Sequence, residues 1–319
     1  MKAAIVSESG RLPVYGDFPE SAAELDQVLI SVTAASLSPT AKSRASGKHY
    51  DSADKFPFVA GVDGVGRLAD GTRVYFALPE APFGSMGQQT VVKATHCIRL
   101  PDEVDDVTAA AIAIPGVSSW AALQERARLI AGETVLINGA TGTAGRLAVQ
   151  IAKHLGARKV IATGRNTEAL RLLTEFGADV TISIDQPAEE IEAAFQEQFG
   201  GDGVDVVLDY LWGPSAEQLI AAAAKAGKDG VAIRYVEVGS ASGPNISLPS
   251  AALRACGLQL MGSGTGSIPV ECLLRAISEL LVALVPANLK IATETIPLTD
   301  VEAGWTKDSG KRRVVFMVR

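Results

Sequence analysis

The chain has 319 residues, of which 47% are hydrophobic and 20% are charged. This length favours two domains over one, and the apolar content excludes a disordered protein. The formal net charge is -7 and no long Lys/Arg-rich run occurs, which argues against a nucleic-acid-binding protein because phosphate binding needs concentrated positive charge.

The N-terminus and the cysteines predict a soluble, cytoplasmic protein. The first residues contain no long apolar stretch, so we expect no signal peptide. No window approaches the ~20 apolar residues of a membrane span, so we expect no membrane partner. The three cysteines, Cys97, Cys256 and Cys272, are odd in number and scattered, which predicts no disulfide framework.

Residues 1 to about 118 predict a β-rich domain. Short runs such as 28–32 and 73–76 are rich in β-branched and aromatic residues, with Gly, Pro and Asp between such runs. No long helical period occurs before the Ala-rich stretch that begins near Thr108.

From about residue 120, buried strands alternate with amphipathic helices. A strand at 135–137 is followed by a helix after Gly145 whose apolar residues recur every four positions until Gly156. Further strands are predicted at 160–162, 180–184, 204–208 and 231–238, with helices between them. Strands and helices that alternate over short connections predict an α/β domain with a doubly wound parallel sheet. The pattern loosens after about residue 257.

The main functional signal is the segment V-L-I-N-G-A-T-G-T-A-G at 135–145. Its spacing, Ala140-x-Gly142-x-x-Gly145, matches the dinucleotide-binding fingerprint. Gly142 lets the backbone approach a pyrophosphate, and Gly145 lets the helix pack closely on the sheet. The helix N-terminus offers N–H groups and a partial positive charge. The order strand, turn, helix favours a nucleotide site over a tight turn without a ligand.

The end of the second strand indicates NADPH. NAD-binding sheets usually place Asp or Glu about 20 residues beyond the fingerprint, to bind the ribose 2′-hydroxyl. Here Arg165 stands at that distance from Gly145, and no acid follows until Glu168. A guanidinium can bind a 2′-phosphate with two hydrogen bonds. The alternative is that Arg165 is a surface residue next to a helix capped by Asn166 or Thr167.

The cysteines and histidines predict no metal site. The cysteine spacing makes no four-cysteine zinc lobe, and the histidines, at 49, 96 and 154, show no paired ligand spacing.

Three blocks resemble the medium-chain dehydrogenase/reductase superfamily. Residues 57–66 (P-F-V-A-G-V-D-G-V-G) resemble the Pro-x-x-x-Gly-x-Asp/Glu-x-x-Gly turn of its GroES-like catalytic domain. Residues 115–123 (P-G-V-S-S-W-A-A-L) resemble the hinge into its cofactor domain, and residues 145–153 (G-R-L-A-V-Q-I-A-K) are similar to its quinone oxidoreductase branch. With the stretches at 297–298 and 303–305, the resemblance covers nearly the whole chain.

The resemblance implies a GroES-like catalytic domain made from residues 1–118 and 258–319. Between them lies a Rossmann domain, residues 119–257, with NADPH in the interdomain cleft. The resemblance also implies a homodimer, which is a common assembly in this family.

The resemblance also separates this chain from zinc-dependent members. Those members carry Gly-His-Glu where this chain has residues 61–63 (G-V-D), and their first cysteine ligand is absent from residues 36–42. The Asn-Pro-x-Asp motif of the quinone branch corresponds to residues 38–41 (S-P-T-A), which lack both the Asn and the Asp.

These observations predict a zinc-independent, NADPH-dependent reductase of quinones or α,β-unsaturated carbonyls. A conjugated acceptor can spread the developing charge to an oxygen that hydrogen bonds stabilise, so it needs no Lewis acid. Two alternatives stay open. One is a zinc-independent carbonyl or alcohol dehydrogenase, and the other is a non-enzymatic NADPH-binding protein, as in some lens crystallins of this family.

The candidate catalytic residues are Tyr50, Ser38 and Lys42. Tyr50 is either a hydrogen-bond donor to the substrate oxygen or a packing tyrosine, and the other two line the cleft or have surface roles. The candidate cofactor-binding residues are Ser118, Ala140, Thr141, Gly142, Thr143, Ala144, Gly145, Gly164, Arg165, Asn166, Asp209, Gly239 and Ser240. Ser118 is alternatively a helix cap, and the last three are alternatively in loops without a ligand.

Overall fold

The computed structural model describes residues 1–47, 56–307 and 312–318. It divides into two compact units, Met1–Ile114 with Ser278–Arg319, and Pro115–Ile277. The first unit therefore contains both ends of the chain, and the second is one continuous segment.

The first unit begins with antiparallel β-structure. Its elements are β1 (Lys2–Val6), β2 (Val14–Asp17), β3 (Gln27–Ser36), α1 (Pro39–Ala45), β4 (Phe58–Val59), β5 (Asp63–Arg67), β6 (Arg73–Ala77), β7 (Gln89–Lys93) and β8 (Cys97–Arg99). Strands β2, β1 and β4 form a small sheet in that order. The prediction that this part of the chain is rich in β-structure is confirmed.

One long apolar helix follows. Helix α2 (Asp106–Ala121) continues into a π-helical turn at Ala122–Ala127. Together they are long and apolar enough to cross a membrane by length and composition, with a mean hydropathy of 1.3. The expectation that no segment would reach this length and composition is therefore wrong. However, 72% of the most apolar 18-residue stretch of this helix is buried inside the protein. Such burial is typical of the core helix of a soluble protein.

The second unit is a doubly wound parallel sheet with helices. Its elements are β9 (Thr134–Asn138), α3 (Thr143–His154), β10 (Lys159–Gly164), α4 (Thr167–Leu172), β11 (Val180–Ser183), α5 (Ala188–Gly200), β12 (Val206–Asp209), α6 (Gly213–Ala226), β13 (Ala232–Glu237), α7 (Ala252–Ala255) and β14 (Gly257–Gly262). The strand order is β11-β10-β9-β12-β13-β14. The order reverses between β9 and β12, which is the point where such sheets bind dinucleotides. The α/β fold class is confirmed.

Burial explains why these elements form. Every residue of β9 is buried, as expected for a strand covered on both faces. In α3, Leu147 and Ile151 are buried at the predicted spacing of four, and Gly156 follows the helix with a φ of +92°. Glycine adopts this left-handed conformation without strain, so the helix ends there.

The chain returns to the first unit through α8 (Val270–Ala283), β15 (Thr293–Pro297), α9 (Val301–Trp305) and β16 (Arg313–Met317). Strands β15-β16-β3-β5-β6-β8 form the larger sheet, with β7 also paired to β3. The second unit extends to residue 277, whereas the sequence suggested 257. The reason is that β14 pairs in parallel with β13 and completes the six-stranded sheet.

Candidate cofactor site

The turn between β9 and α3 has the geometry that the fingerprint predicts. Gly139 has a φ of +88°, a conformation that favours glycine. A methyl group on Gly145 would lie 2.6 Å from Cα of Ala140, so only glycine lets the helix approach the strand this closely. A methyl group on the exposed Gly142 would have its nearest non-neighbouring atom 3.9 Å away. The space next to Gly142 is therefore open to a ligand.

The N-terminus of α3 is suited to an anion. Its N-cap, Gly142, makes no side-chain hydrogen bond to the helix, and the first turn contains no acid. The first N–H groups of a helix have no partner within it and carry a partial positive charge. Arg146 adds a cation here, with its Nε donating to the Thr141 carbonyl at 3.0 Å. Arg146 was not among the candidate residues, although it directly follows the last glycine of the fingerprint.

The residues predicted to bind the 2′-phosphate lie at the end of β10 and directly after it. Gly164 is buried, and a methyl group there would lie 2.5 Å from Cγ2 of Thr141. Arg165 is exposed, and no side chain or backbone group in the described part of the chain bonds its guanidinium. Asn166 caps α4 by accepting the Ala169 N–H at 2.9 Å. Asn166 therefore has a structural role, and the Arg165 side chain is available to a ligand.

Asp209 differs from the expectation that it would contact the cofactor. It is fully buried at the end of β12. Its carboxylate accepts hydrogen bonds from the side chains of Asn138 at 2.7 Å and Tyr235 at 2.6 Å. It also accepts the N–H groups of Leu211 and Trp212. A carboxylate enclosed by these donors organises the turn after β12 and does not face a ligand.

A cleft of about 440 Å³ lies at the carboxyl ends of β13 and β14. It is lined by Trp212, Glu237, Ser240, Pro244, Leu260, Met261 and Gly262. Ser240 is exposed, and the preceding Gly239 donates its N–H to the Asp209 carbonyl at 3.1 Å. Burial, together with the nearby Asp209 carboxylate, raises the pKa of Glu237. The cleft is thus largely apolar, with one carboxyl group and one hydroxyl group.

Ser118 lies inside α2. Its hydroxyl donates to the Pro115 carbonyl at 2.7 Å and lies 3.5 Å from the Tyr210 hydroxyl. Desolvation raises the pKa of Tyr210 to about 12. The two hydroxyl groups lie together in the second unit, with Tyr210 directly after β12.

The candidate catalytic residues belong to the first unit. Ser38 is fully buried and caps α1 by accepting the Ala41 N–H at 3.0 Å. The Lys42 ammonium donates to the Lys307 carbonyl at 3.3 Å. Tyr50 lies outside the described residues. The hydroxyl of Ser38 is therefore used in helix capping, and the catalytic roles of these three residues stay predictions.

The described residues contain no group of three or more His, Cys, Asp or Glu side chains that could hold a metal ion. Asp63, next to the position where zinc-dependent members carry histidine, is fully buried and accepts the Tyr75 hydroxyl at 3.1 Å.

Comparisons with known proteins agree with this architecture. Residues 144–280 match the family model described as zinc-binding dehydrogenase. A probable NADPH-dependent quinone reductase of Emericella nidulans, tdiC, is 26% identical, and the alignment covers all of both chains. A chloroplastic NADPH-dependent alkenal/one oxidoreductase of Arabidopsis thaliana is 33% identical over 58% of this chain, and the match spans half of the relative.

Solved structures share the fold over nearly the whole chain. A mycobacterial quinone oxidoreductase superposes with a TM-score of 0.86 and 23% identity, over 99% of each chain. The quinone oxidoreductase of Thermus thermophilus, which was also solved with NADPH, gives a TM-score of 0.80 and 24% identity, over 99% of this chain and all of that one. The sequence matches make this chain similar to medium-chain dehydrogenases/reductases, and the solved structures show that it has the fold of the quinone oxidoreductases.

Proposed function

We propose that this protein is a zinc-independent, NADPH-dependent reductase of quinones or α,β-unsaturated carbonyls. The observation that carries the proposal is the pair of cationic positions on the second unit. One is the uncapped helix start with Arg146, and the other is the exposed Arg165 at the end of β10. The relatives named as NADPH-dependent quinone and alkenal reductases support the same activity.

Different residues of the second unit bind different parts of NADPH. The open backbone at Gly142 and the first turn of α3 hold the pyrophosphate, because a helix N-terminus directs N–H groups and a partial positive charge towards an anion. The guanidinium of Arg165 binds the 2′-phosphate through paired hydrogen bonds. When bound, NADPH supplies the hydride, and the acceptor takes up a proton from a side chain or from solvent.

The choice of acceptor follows from the residues that replace the zinc ligands. Val62 stands where zinc-dependent members carry a ligand histidine, and valine offers no lone pair to a metal. A quinone or an enone delocalises the charge that hydride addition creates onto its oxygen, where a hydrogen bond is sufficient. A simple ketone concentrates that charge and gains most from a Lewis acid.

The test is NADPH oxidation, followed by absorbance with purified protein. Benzoquinone, phenanthrenequinone, an alkyl vinyl ketone and a simple ketone are compared, each with and without EDTA. We expect turnover of the conjugated acceptors that EDTA leaves unchanged, with NADH a much poorer donor. Turnover of the simple ketone alone would favour the carbonyl or alcohol dehydrogenase alternative. Loss of activity in EDTA would contradict the zinc-independent activity proposed here. Tight NADPH binding without any turnover would favour a non-enzymatic role.

We also propose that the protein is cytoplasmic and that it forms a homodimer. The edge strand β14 supports a dimer, because it ends the strand order of the parallel sheet. An open strand edge is a surface to which a second strand can pair.

A further inference from the structure

One residue of β10 holds the start of the glycine turn. Thr163 is fully buried, and its hydroxyl oxygen accepts the Gly139 N–H at 3.1 Å. The Thr163 carbonyl accepts the next N–H, that of Ala140, at 2.8 Å. The two backbone groups that open the turn are therefore fixed by the neighbouring strand and not by the turn itself.

A chain of buried side chains lies behind Thr163. Its hydroxyl donates to Oδ1 of Asn138 at 2.7 Å. The amide nitrogen of Asn138 then donates to Asp209 at 2.7 Å and to the hydroxyl of Ser215 at 2.9 Å. Tyr235 donates to the other carboxylate oxygen of Asp209. These residues are all buried, so each bond forms in a medium of low dielectric constant and an unmade bond is costly.

The carboxylate fixes the direction of the whole chain of bonds. Asp209 is the acceptor in each of its side-chain hydrogen bonds, so Asn138 turns its NH₂ group towards it. The Asn138 carbonyl then faces Thr163, whose hydroxyl must donate to it. The lone pairs of that hydroxyl are thereby left for the Gly139 N–H. Only one arrangement of hydrogens satisfies every member, so the turn is held in one orientation.

The same carboxylate also holds the turn after β12. Oδ1 of Asp209 accepts the N–H groups of Leu211 at 2.8 Å and Trp212 at 3.1 Å. Trp212 has a φ of +56°, an unfavourable conformation that needs support from its surroundings. Leu211 lies against the glycine turn, since a methyl group on Gly139 would be 2.8 Å from its Cγ. The two loops are therefore joined through one buried carboxylate.

We propose that Thr163, oriented by Asn138 and Asp209, is a positioning residue that sets the affinity of the glycine turn for its ligand. This inference rests on the proposed function, because it takes the ligand of the turn to be the pyrophosphate of NADPH. Removal of the hydroxyl leaves the half-buried Gly139 N–H and the buried Asn138 side-chain carbonyl without the partners they have in the wild type. The turn can then change its orientation, so the N–H groups offered to the pyrophosphate lose their preorganisation.

Two pairs of variants isolate the hydroxyl group. Thr163→Val keeps the volume and loses the hydroxyl, whereas Thr163→Ser keeps the hydroxyl and loses the methyl group. Thr163→Ala and Thr163→Ser differ only in the hydroxyl, so this second pair serves if valine disturbs the packing. For each variant we would measure the Kd of NADPH, the Kd of 2′-phosphorylated ADP-ribose and the apo-protein Tm.

We expect Thr163→Val and Thr163→Ala to weaken both ligands by about tenfold, the equivalent of one lost hydrogen bond. Thr163→Ser should bind within about threefold of wild type, although its Tm also falls because a buried methyl group is lost. Equal Kd values for the serine and valine variants, or losses that simply follow the Tm, would overturn the inference. If wild-type protein binds neither ligand, the proposed function itself is wrong.

Discussion

At the scale of single residues, we expect Arg165 to decide the choice between NADPH and NADH. It is exposed directly after β10, where NAD-binding sheets place an acid. The neighbouring Asn166 is used to cap α4. The side chain available for the 2′-phosphate at this position is thus the guanidinium.

Arg165→Glu should reverse the preference for NADPH. The carboxylate would repel the 2′-phosphate and could accept the 2′-hydroxyl of NADH. We expect the KM for NADPH to rise at least about tenfold, since a hydrogen bond to a charged group contributes about 1.5–3 kcal/mol. Arg171→Glu is the matched control, because it makes the same charge change at an exposed site on α4. Equal effects of the two variants on KM would argue against a 2′-phosphate site at Arg165.

Asp63 is a buried carboxyl group whose ionisation should affect the stability of the protein. Burial raises its pKa to about 7, an increase that the Tyr75 hydroxyl and the charge of Arg313 only partly oppose. Arg313 is itself buried and donates to the Leu37 carbonyl at 3.1 Å. The core of the first unit therefore contains a carboxyl group that ionises more readily in the unfolded chain than in the folded protein.

This difference makes the stability of the protein depend on pH. The pKa of Asp63 rises on folding from 3.8, so between about pH 4 and pH 7 the unfolded state holds fewer protons. The free energy of unfolding should therefore decrease as the pH rises through this range, by roughly 2–3 kcal/mol between pH 5 and pH 8.

Denaturant unfolding at several pH values checks this dependence. Asp63→Asn should remove most of the slope, whatever its effect on absolute stability, and the exposed Glu103→Gln should keep the wild-type slope. An unchanged slope in Asp63→Asn would show that this carboxyl group does not cause the dependence.

At the scale of elements, the β9–α3 unit could be predicted from sequence because its determinants are local. The apolar run, the glycine spacing and the helical period all lie within residues 135–156. The bonds that Thr163 and Asp209 make to this turn could not be predicted. They join three strands that are distant in the sequence, and the direction of a buried side chain depends on its neighbours. From the sequence, Asp209 was expected to contact the cofactor because it ends a strand. In the structure its carboxylate accepts hydrogen bonds from neighbouring side chains and backbone groups.

The two glycines of the turn should separate binding from folding. Gly142→Ala places a methyl group in open space at a φ of -75°, which alanine tolerates, so the apo-protein Tm should be unchanged. The methyl group would nevertheless obstruct the pyrophosphate, and the Kd for NADPH should rise at least tenfold. Gly145→Ala forces a methyl group against Ala140 and should also cost roughly 1–3 kcal/mol of stability. Thermal unfolding and NADPH titration of both variants check this. Wild-type NADPH affinity in Gly142→Ala would argue against a ligand at this turn.

At the scale of the whole molecule, the sequence indicated the return of the chain to the first domain but not the position of the boundary. The assignment of residues 257–262 to one unit or the other depends on which strand they pair with. Pairing of β14 with β13 places this strand in the second unit, which ends at residue 277. This pairing also determines which strand forms the outer edge of the parallel sheet.

The position of β14 at the end of the parallel sheet leads to a prediction about assembly. If two copies pair through this strand, the protein in solution should have twice the mass of one chain. The outward-facing amide groups of β14 should then exchange slowly with deuterium, because they form hydrogen bonds across the interface. β11, at the opposite edge of the same sheet, is the internal control, and its outward-facing amides should exchange quickly in any oligomeric state. Light scattering and hydrogen exchange at several concentrations distinguish the outcomes. A dimer in which β14 exchanges as fast as β11 would mean that the subunits meet through another surface, and the mass of a single chain would exclude the dimer.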